Sequence, residues 1–370
     1  MNILYDHQIF SSQKYGGISR YFSELIRGIN NKTEANAQLL IKFSNNLYLE
    51  QDKSITCKKF LPNIEFRGKP IALKIINQFH SKLHTAHREC DLYHPTYYNP
   101  QNVILQNDKP IVITVFDMIH EKLPQLYKNN KLSNRKSILC KKASHIIAIS
   151  QNTKQDLTNL LNIDPRKVSV VHLANSLDAT NDERPSNKIP QNYILYVGSR
   201  KAYKNFEFFL KSLAPILRLN ANLNLVCVGK KFDNLEKELI NNLSINHQVL
   251  SINVSDPELV YLYKNALLFV YPSLYEGFGL PLLESFACGC PVLSSNASSL
   301  PEVGGNACKY FDPHNQTELT SSINELLVSE SLRNSLIKKG HQRSKLFSWD
   351  KCVSETLQVY NKVINAKCFL

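Results

Sequence analysis

Two carboxylates and a glycine-rich turn stand close together in YPSLYEGFGLPLLESFACGCP, residues 271–291. Glu276 lies in the turn, and Glu284 follows eight positions on, inside what reads as a helix. Gly277 and Gly279 open backbone dihedrals closed to other residues and let a ligand approach the main chain. Pro281 suits a first helical turn, where its missing N–H costs nothing. The unpaired N–H groups around Leu280 to Leu283 attract an anion. The pattern suits a phosphate-bearing ligand, with one carboxylate beside it and another one turn inside the helix.

Two further stretches carry candidate chemistry. Tyr15-Gly16-Gly17-Ile18-Ser19-Arg20 follows the strand-like NILYD (2–6) and runs into YFSELIRGI, which has helical apolar spacing. Strand, glycine-pair loop and helix is a geometry that presents N–H groups to a phosphate, though a tight turn has the same sequence. In VFDMIHEKLP (115–124), Asp117 and His120 follow an apolar strand at its C-terminal end. Open α/β sheets place their chemistry there, although Asp117 could equally cap its own loop. His80, His84, His87 and Cys90 have metal-like spacing, but Ser81 stands where a zinc protease motif needs glutamate, so no metal site is expected.

The elements that position these groups alternate. Apolar runs at AQLLIKF (37–43), DLYH (91–94), IVITVF (111–116), HIIAIS (145–150) and VSVVH (168–172) are separated by helical patterns, as in a helix-covered parallel sheet. Residues 174–190 are polar, broken by Pro185 and Pro190, and read as a linker. The alternation then restarts with YILYVG (193–198), LNLVCVG (223–229), QVLSI (248–252), LLFVY (267–271) and PVLSS (291–295). The fold class is α/β, with two such units facing across a cleft. Residues 70–86 place Ala72, Ile75, Ile76, Phe79 and Leu83 on one helical face flanked by Lys74, Lys82 and Arg88. The first expectation is that this face packs on the sheet; the second is that it lies on an anionic membrane surface.

Composition excludes some classes. A chain of 370 residues with 43% hydrophobic and 20% charged residues is globular, not disordered. No apolar run reaches the roughly 18 residues of a membrane span. The MNILYDHQIF start lacks the basic and apolar parts of a signal peptide, and nine scattered cysteines read as reduced, buried thiols of a cytosolic protein. Residues 1–190 hold 26 Lys and Arg against 16 Asp and Glu, a net +10; residues 191–370 hold 18 against 15, a net +3. The basic first half suits an anionic partner, either a membrane surface or a lipid-linked phosphate. Neither a helix-turn-helix signature nor a basic tract with interleaved aromatics supports nucleic-acid binding.

Taken together, the motifs resemble retaining glycosyltransferases of family 4, which have the GT-B fold. The resemblance spans nearly the whole chain: EGFGLPLLE (276–284), the ACGCPV that follows, LPEVGGNACKYFDP (300–313), YGGISRYF, FDMIH, HIIAIS with Asn152, Lys154 and Asp156, and VGSRKAYKNF (197–206). It implies a Rossmann-like acceptor-side domain at 1–175, a linker at 176–190 and a donor-binding domain at 191–348. A C-terminal helix at about 349–366 crosses back to the first domain. The substrate it implies is a nucleotide diphosphate sugar, carrying mannose, glucose or galactose. No cofactor or metal is implied, and no Asp-x-Asp pair occurs. The acceptor it implies is a saccharide or lipid-linked saccharide of a surface polysaccharide such as O-antigen, made on the cytoplasmic side.

In that pattern Glu284 binds the ribose, Glu276 lies by the donor sugar, and the N–H groups of Phe278, Gly279 and Leu280 meet sugar and phosphate. Lys204 neutralises the diphosphate with Arg200 as companion, and the Gly16-Gly17 amides close on the donor. Ser199 stands where many relatives carry arginine, so Arg200 is shifted by one position. Phe116 stands where many relatives carry a catalytic histidine. That leaves Asp117 as the group to orient a hydroxyl, with His120, His94 and Tyr97 as acceptor-side candidates. A non-catalytic nucleotide-sugar-binding module is the alternative that Phe116 leaves open.

Overall fold

Short β-branched and aromatic runs become parallel strands whose C-terminal ends carry the polar groups. The structure is a computed structural model and describes residues 1–51, 55, 57–85, 89–103, 109–127 and 130–367. The chain divides into one unit formed by residues 1–173 with the C-terminal segment from Trp349, and a second formed by residues 174–348.

In the first unit, besides a two-residue parallel pair of Phe43–Ser44 with Lys58–Lys59, the main strands are β1 (Asn2–Asp6), β2 (Asn36–Leu40), β3 (Leu92–His94), β4 (Val112–Val115), β5 (His145–Ala148) and β6 (Val168–Val170). They pair in parallel as β2-β1-β3 and β4-β5-β6, and a bridge between Tyr93 and Ile111 joins the two sets. The order reverses between β1 and β3, so the loops after Asp6 and His94 leave side by side in opposite directions. In open α/β sheets such a reversal opens a crevice for ligands. The Gly17–Asn30 helix buries Tyr21, Phe22, Leu25, Ile26 and Ile29, the positions with helical spacing.

The C-terminal helix Trp349–Lys367 packs on that helix. Gly28 allows the approach: a Cβ there would lie 2.5 Å from Val353 Cγ2. A buried polar chain ties the helix to the sheet. The Tyr360 hydroxyl meets the Tyr5 hydroxyl at 2.7 Å and His94 Nδ1 at 2.5 Å, and His94 Nε2 meets Thr114 Oγ1 at 3.0 Å.

The second unit carries β7 (Asn192–Val197), β8 (Leu223–Val228), β9 (Val249–Ile252), β10 (Leu268–Tyr271), β11 (Val292–Ser295) and β12 (Cys308–Phe311). All pairs are parallel, in the order β9-β8-β7-β10-β11-β12. This is the dinucleotide-fold order, and its reversal lies between β7 and β10. The edge strand β12 is not legible as an apolar run, because only Cys308 and Phe311 of its CKYF are buried.

Two readings of the sequence need revision. Residues 176–190 have the composition of a linker but pack on the second unit: Leu177 and Ile189 are buried, Lys264 pairs with Asp182 at 2.6 Å, and the Glu183 N–H donates to Pro257 O. The Lys69–Thr85 helix turns the wrong way for a sheet-packed amphipathic helix. It buries Leu73, Asn77 and Ser81, leaves Ile75, Phe79 and Leu83 in water, and half-buries Ala72 and Ile76. Asn77 explains the orientation: its side chain accepts from the Lys42 and Phe43 N–H groups and donates to Phe43 O and Ser11 Oγ.

Burial pushes the His94 imidazole down to about 3, against the pull of the Asp6 charge, and His145 down to about 4. Both are neutral in the fold and regain an ordinary value on unfolding, so the unfolded chain binds more protons below about pH 6.5 and stability falls with acid. At pH 5 the expected loss for His94 alone is about 2 kcal/mol. The check is the urea midpoint at pH 7.5 and pH 5; equal midpoints would contradict the neutral core.

Candidate active site

Because β7 and β10 are neighbours at the reversal of the second sheet, the loops that leave them meet. After β7 comes Gly198 at φ 124°, and after β8 Gly229 at φ 144°. A Cβ on Gly229 would lie 2.8 Å from Gly198 O, so the two strand ends approach this closely because residue 229 is glycine. The chain then forms the Ala202–Lys204 turn and starts the Phe206–Leu219 helix from Asn205, whose left-handed backbone is held by its side chain donating to Pro313 O. That turn presents Lys204.

From the other side, the loop after β10 presents Glu276. Ser299 Oγ donates to the carbonyls of Glu276 and Phe278, and the Glu276 N–H donates to Ser298 Oγ at 2.8 Å. Gly279, at φ 112°, starts the Leu280–Ala287 helix, and a Cβ there would meet Leu300 Cδ2 at 2.8 Å. No other residue fits that corner. The Lys204 ammonium donates to Glu276 Oε1 at 2.6 Å and to the Tyr271 hydroxyl at 3.3 Å, with the side chains of Lys204 and Glu276 only 12% and 10% exposed. The rings of Tyr203 and Tyr271 lie 5.4 and 5.2 Å from the ammonium. Burial, reinforced by the Glu276 charge, pushes the Tyr271 phenol well above its ordinary value, so it stays a neutral donor.

The second carboxylate is held separately. Glu284 is half-buried and accepts from the Tyr263 hydroxyl at 3.2 Å, Tyr263 coming from the Asp256–Asn265 helix.

Arg200 takes a different course from Lys204. It forms two hydrogen bonds to Glu236, at 2.6 and 3.2 Å, and two to the carbonyls of Lys230 and Lys231. Its guanidinium also lies over the rings of Phe206 and Phe232. The structure therefore brings Lys204 and Glu276 together but commits Arg200 to Glu236. Ser199 is exposed, and its carbonyl accepts from the Tyr196 hydroxyl.

In the first unit Asp117 follows β4, and its carboxylate accepts from the Ile119 N–H at 3.1 Å, so it does cap its own loop. The buried Lys136 ammonium donates to Asp117 O at 2.7 Å and Glu121 Oε2 at 2.9 Å, and lies 3.7 Å from Asp117 Oδ1. Burial, with the Asp117 charge, pushes Tyr97 up to about 12. The His120 ring packs against Tyr127, 4.0 Å away and tilted by 32°. His94 is a correction: both of its nitrogens are held by core hydroxyls and none of it is exposed, so it cannot meet an acceptor. Phe116 is also a core residue, packed edge-on to Tyr21 and Phe22.

Gly16 and Gly17 start the Gly17–Asn30 helix. Gln13 Oε1 accepts the Ser19 N–H, and Ser19 Oγ donates back to Gly16 O. A Cβ on Gly16 would come within 2.7 Å of Gln13 Oε1. The His80 and His84 rings lie 4.3 Å apart, tilted by 48°, His87 lies outside the described residues, and no group of three metal-binding side chains occurs among those described.

Two family models cover these two units in tandem: "Glycosyltransferase Family 4" over residues 15–174 and "Glycosyl transferases group 1" over residues 179–343. The chain belongs to the family 4 glycosyltransferases. Among curated relatives of this glycosyltransferase, O-antigen chain mannosyltransferase B of Escherichia coli is 29% identical over 286 residues, 73% of this chain and 74% of that one. Among solved structures, the sucrose-phosphate synthase of Thermosynechococcus elongatus superposes with TM-score 0.77 at 18% identity, covering 99% of this chain and 100% of that one. Anabaena HepE, solved with UDP and glucose, superposes with TM-score 0.71 at 16% identity, covering 98% and 99%. These structures share the GT-B fold of the enzyme.

Sequence reasoning missed three groups in this glycosyltransferase. Asp6 ends β1 at the reversal of the first sheet. Burial pushes its carboxyl up, but the His7 charge and hydrogen bonds from Gln8, Thr96 and Tyr93 outweigh that and hold it below the usual range. Its signal was a lone acid closing an apolar strand. Lys136, which is buried, and Glu236, which is half-buried, sit in charged helical stretches where nothing marks either one out. Glu236→Ala should leave the Arg200 guanidinium buried with half its bonds and lower stability by about 3 kcal/mol. Urea denaturation checks this, and an unchanged midpoint would contradict the clamp.

Proposed function

We propose that this glycosyltransferase moves a mannosyl unit, with retention, from a nucleotide diphosphate sugar to a hydroxyl of a saccharide acceptor in O-antigen synthesis. The observation that carries the chemistry is the Lys204–Glu276 contact at the sheet reversal, beside the Leu280–Ala287 helix start. The similarity to an O-antigen chain mannosyltransferase over most of both chains favours mannose, and hence GDP-mannose as the donor to test first.

Cleavage of the sugar–phosphate bond builds positive charge on the anomeric carbon and negative charge on the departing diphosphate. Lys204 and the helix-start N–H groups are assigned to that diphosphate, where fixed donors typically give about 100–1000-fold each. Glu276 takes a sugar hydroxyl and Glu284 the ribose. Gly16 and Gly17 are assigned to the donor from the first unit, and Asp117, with Tyr97 beside it, to the acceptor hydroxyl. His120 is a weaker acceptor-side candidate.

With Phe116 in place of a basic side chain, the departing phosphate oxygen accepts the acceptor's proton. The carbon–oxygen bond to phosphate breaks as the bond to the acceptor oxygen forms on the same face, leaving a glycoside and a nucleoside diphosphate. No divalent metal enters this scheme. The acceptor is lipid-linked in this reading, and the enzyme works at the cytoplasmic face of a membrane.

A donor screen tests the reading. GDP-mannose, UDP-glucose and UDP-galactose are each incubated with a soluble saccharide acceptor, with and without EDTA. Consumption of GDP-mannose, insensitivity to EDTA and an α-linked product by NMR are expected. Turnover of UDP-sugars only, loss of activity with EDTA or a β-linked product would overturn the corresponding part. Glu284→Ala should raise the donor KM more than it lowers kcat; the reverse pattern would remove its ribose role.

A further inference from the structure

The Lys69–Thr85 helix presents an unusual outer surface. Ile71, Ile75, Phe79 and Leu83, spaced by four residues, are 66%, 63%, 66% and 56% exposed. Four-residue spacing stacks side chains on one face, and the buried Leu73, Asn77 and Ser81 lie on the opposite face. The inner face is fixed by the four hydrogen bonds of Asn77, so the apolar stripe cannot be turned inward without breaking them. Ile64 and Phe66, in the turn before the helix, are also exposed. Contiguous exposed apolar surface of this kind marks a docking site.

We propose that this face docks on an anionic membrane surface. Charge selects the occupant. Between residues 61 and 85 the charged side chains are Arg67, Lys69, Lys74, Lys82 and a single acid, Glu65, which is paired with Lys69 at 2.8 Å. Lys74, Lys82 and Arg67 are all exposed beside the stripe. A second copy of the chain would bring these like charges together, whereas anionic headgroups neutralise them while the isoleucines and Phe79 enter the acyl boundary. From Ile71 to Leu83 the stripe runs about 18 Å along the helix axis, too short to cross a bilayer core of about 30 Å. Among the described residues no helix is long and apolar enough to cross a membrane. The helix therefore lies in the plane of the surface. Docking there does not depend on which sugar is transferred, and it would hold the enzyme where a lipid-linked acceptor is presented.

The test is co-sedimentation of the full chain with vesicles of phosphatidylcholine alone or mixed with phosphatidylglycerol. Binding is expected to the mixed vesicles and not to the neutral ones. Ile75→Ser with Phe79→Ser, and separately Lys74→Glu with Lys82→Glu, should each lower the partition at least about tenfold. Both pairs should leave the urea midpoint and transfer to a soluble acceptor unchanged, since all four side chains are on the surface. Failure of the wild-type chain to bind the mixed vesicles, or equal binding by both double variants, would overturn the proposal. So would a wild-type dimer in sedimentation velocity that Ile75→Ser with Phe79→Ser dissociates. Loss of transfer with every donor would instead strike the glycosyltransfer reading and leave vesicle binding standing.

Discussion

The ammonium of Lys204 and the carboxylate of Glu276 meet at 2.6 Å, both nearly out of water, where neighbouring strands send their loops apart. Much of the second unit serves that contact. Gly198 and Gly229 let two strand ends approach, Asn205 turns the chain in a left-handed conformation, and Ser298 and Ser299 hold the Glu276 loop from its amide and carbonyls. Removing either partner leaves an uncompensated charge, which costs about 3–5 kcal/mol in a buried pair. An incoming diphosphate can take up the lysine's remaining hydrogen-bonding capacity while Glu276 turns to a sugar hydroxyl. Under the proposed function the pair is a charge-balanced resting arrangement for a site that receives an anion.

Arg200 shows how such a site is kept selective in its cations. Although only four residues before Lys204, it is locked by Glu236 and two carbonyls, stacked on Phe206 and Phe232. The family resemblance implied that the two would act together; the Glu236 carboxylate separates their tasks. The first unit shows the same economy. Phe116 packs on Tyr21, so the polar group at that strand end is Asp117, steadied through its carbonyl by Lys136. A mechanism that asks the leaving phosphate to take the proton fits this arrangement.

What was legible in the sequence followed from periodicity and backbone chemistry. Of the twelve strands β1 to β12, eleven correspond to apolar runs, and the corner at Gly279 was readable because glycine suits its backbone. The residues that escaped are those whose role depends on tertiary partners. Asp6 and Lys136 look like any surface charge until the fold buries them, and Glu236 until it pairs with Arg200. His94 looked reactive because its type is, yet two hydroxyls from distant segments, those of Tyr360 and Thr114, make it a core residue. For the Lys69–Thr85 helix the first of two expectations, an inward apolar face, failed because periodicity gives a face but not its direction, and Asn77, a single polar residue, decides it.

The central claim is that Lys204 and Glu276 act as one unit in transfer, and a double-mutant cycle measures this directly. Lys204→Met, Glu276→Gln and the double variant are compared in kcat/KM for the donor, with urea midpoints as a fold control. Each single variant should lose about 100-fold or more, and the double variant should fall within a few-fold of the worse single one, because coupled groups are not additive. Losses that multiply, or near-normal transfer by either single variant in a folded protein, would contradict the account.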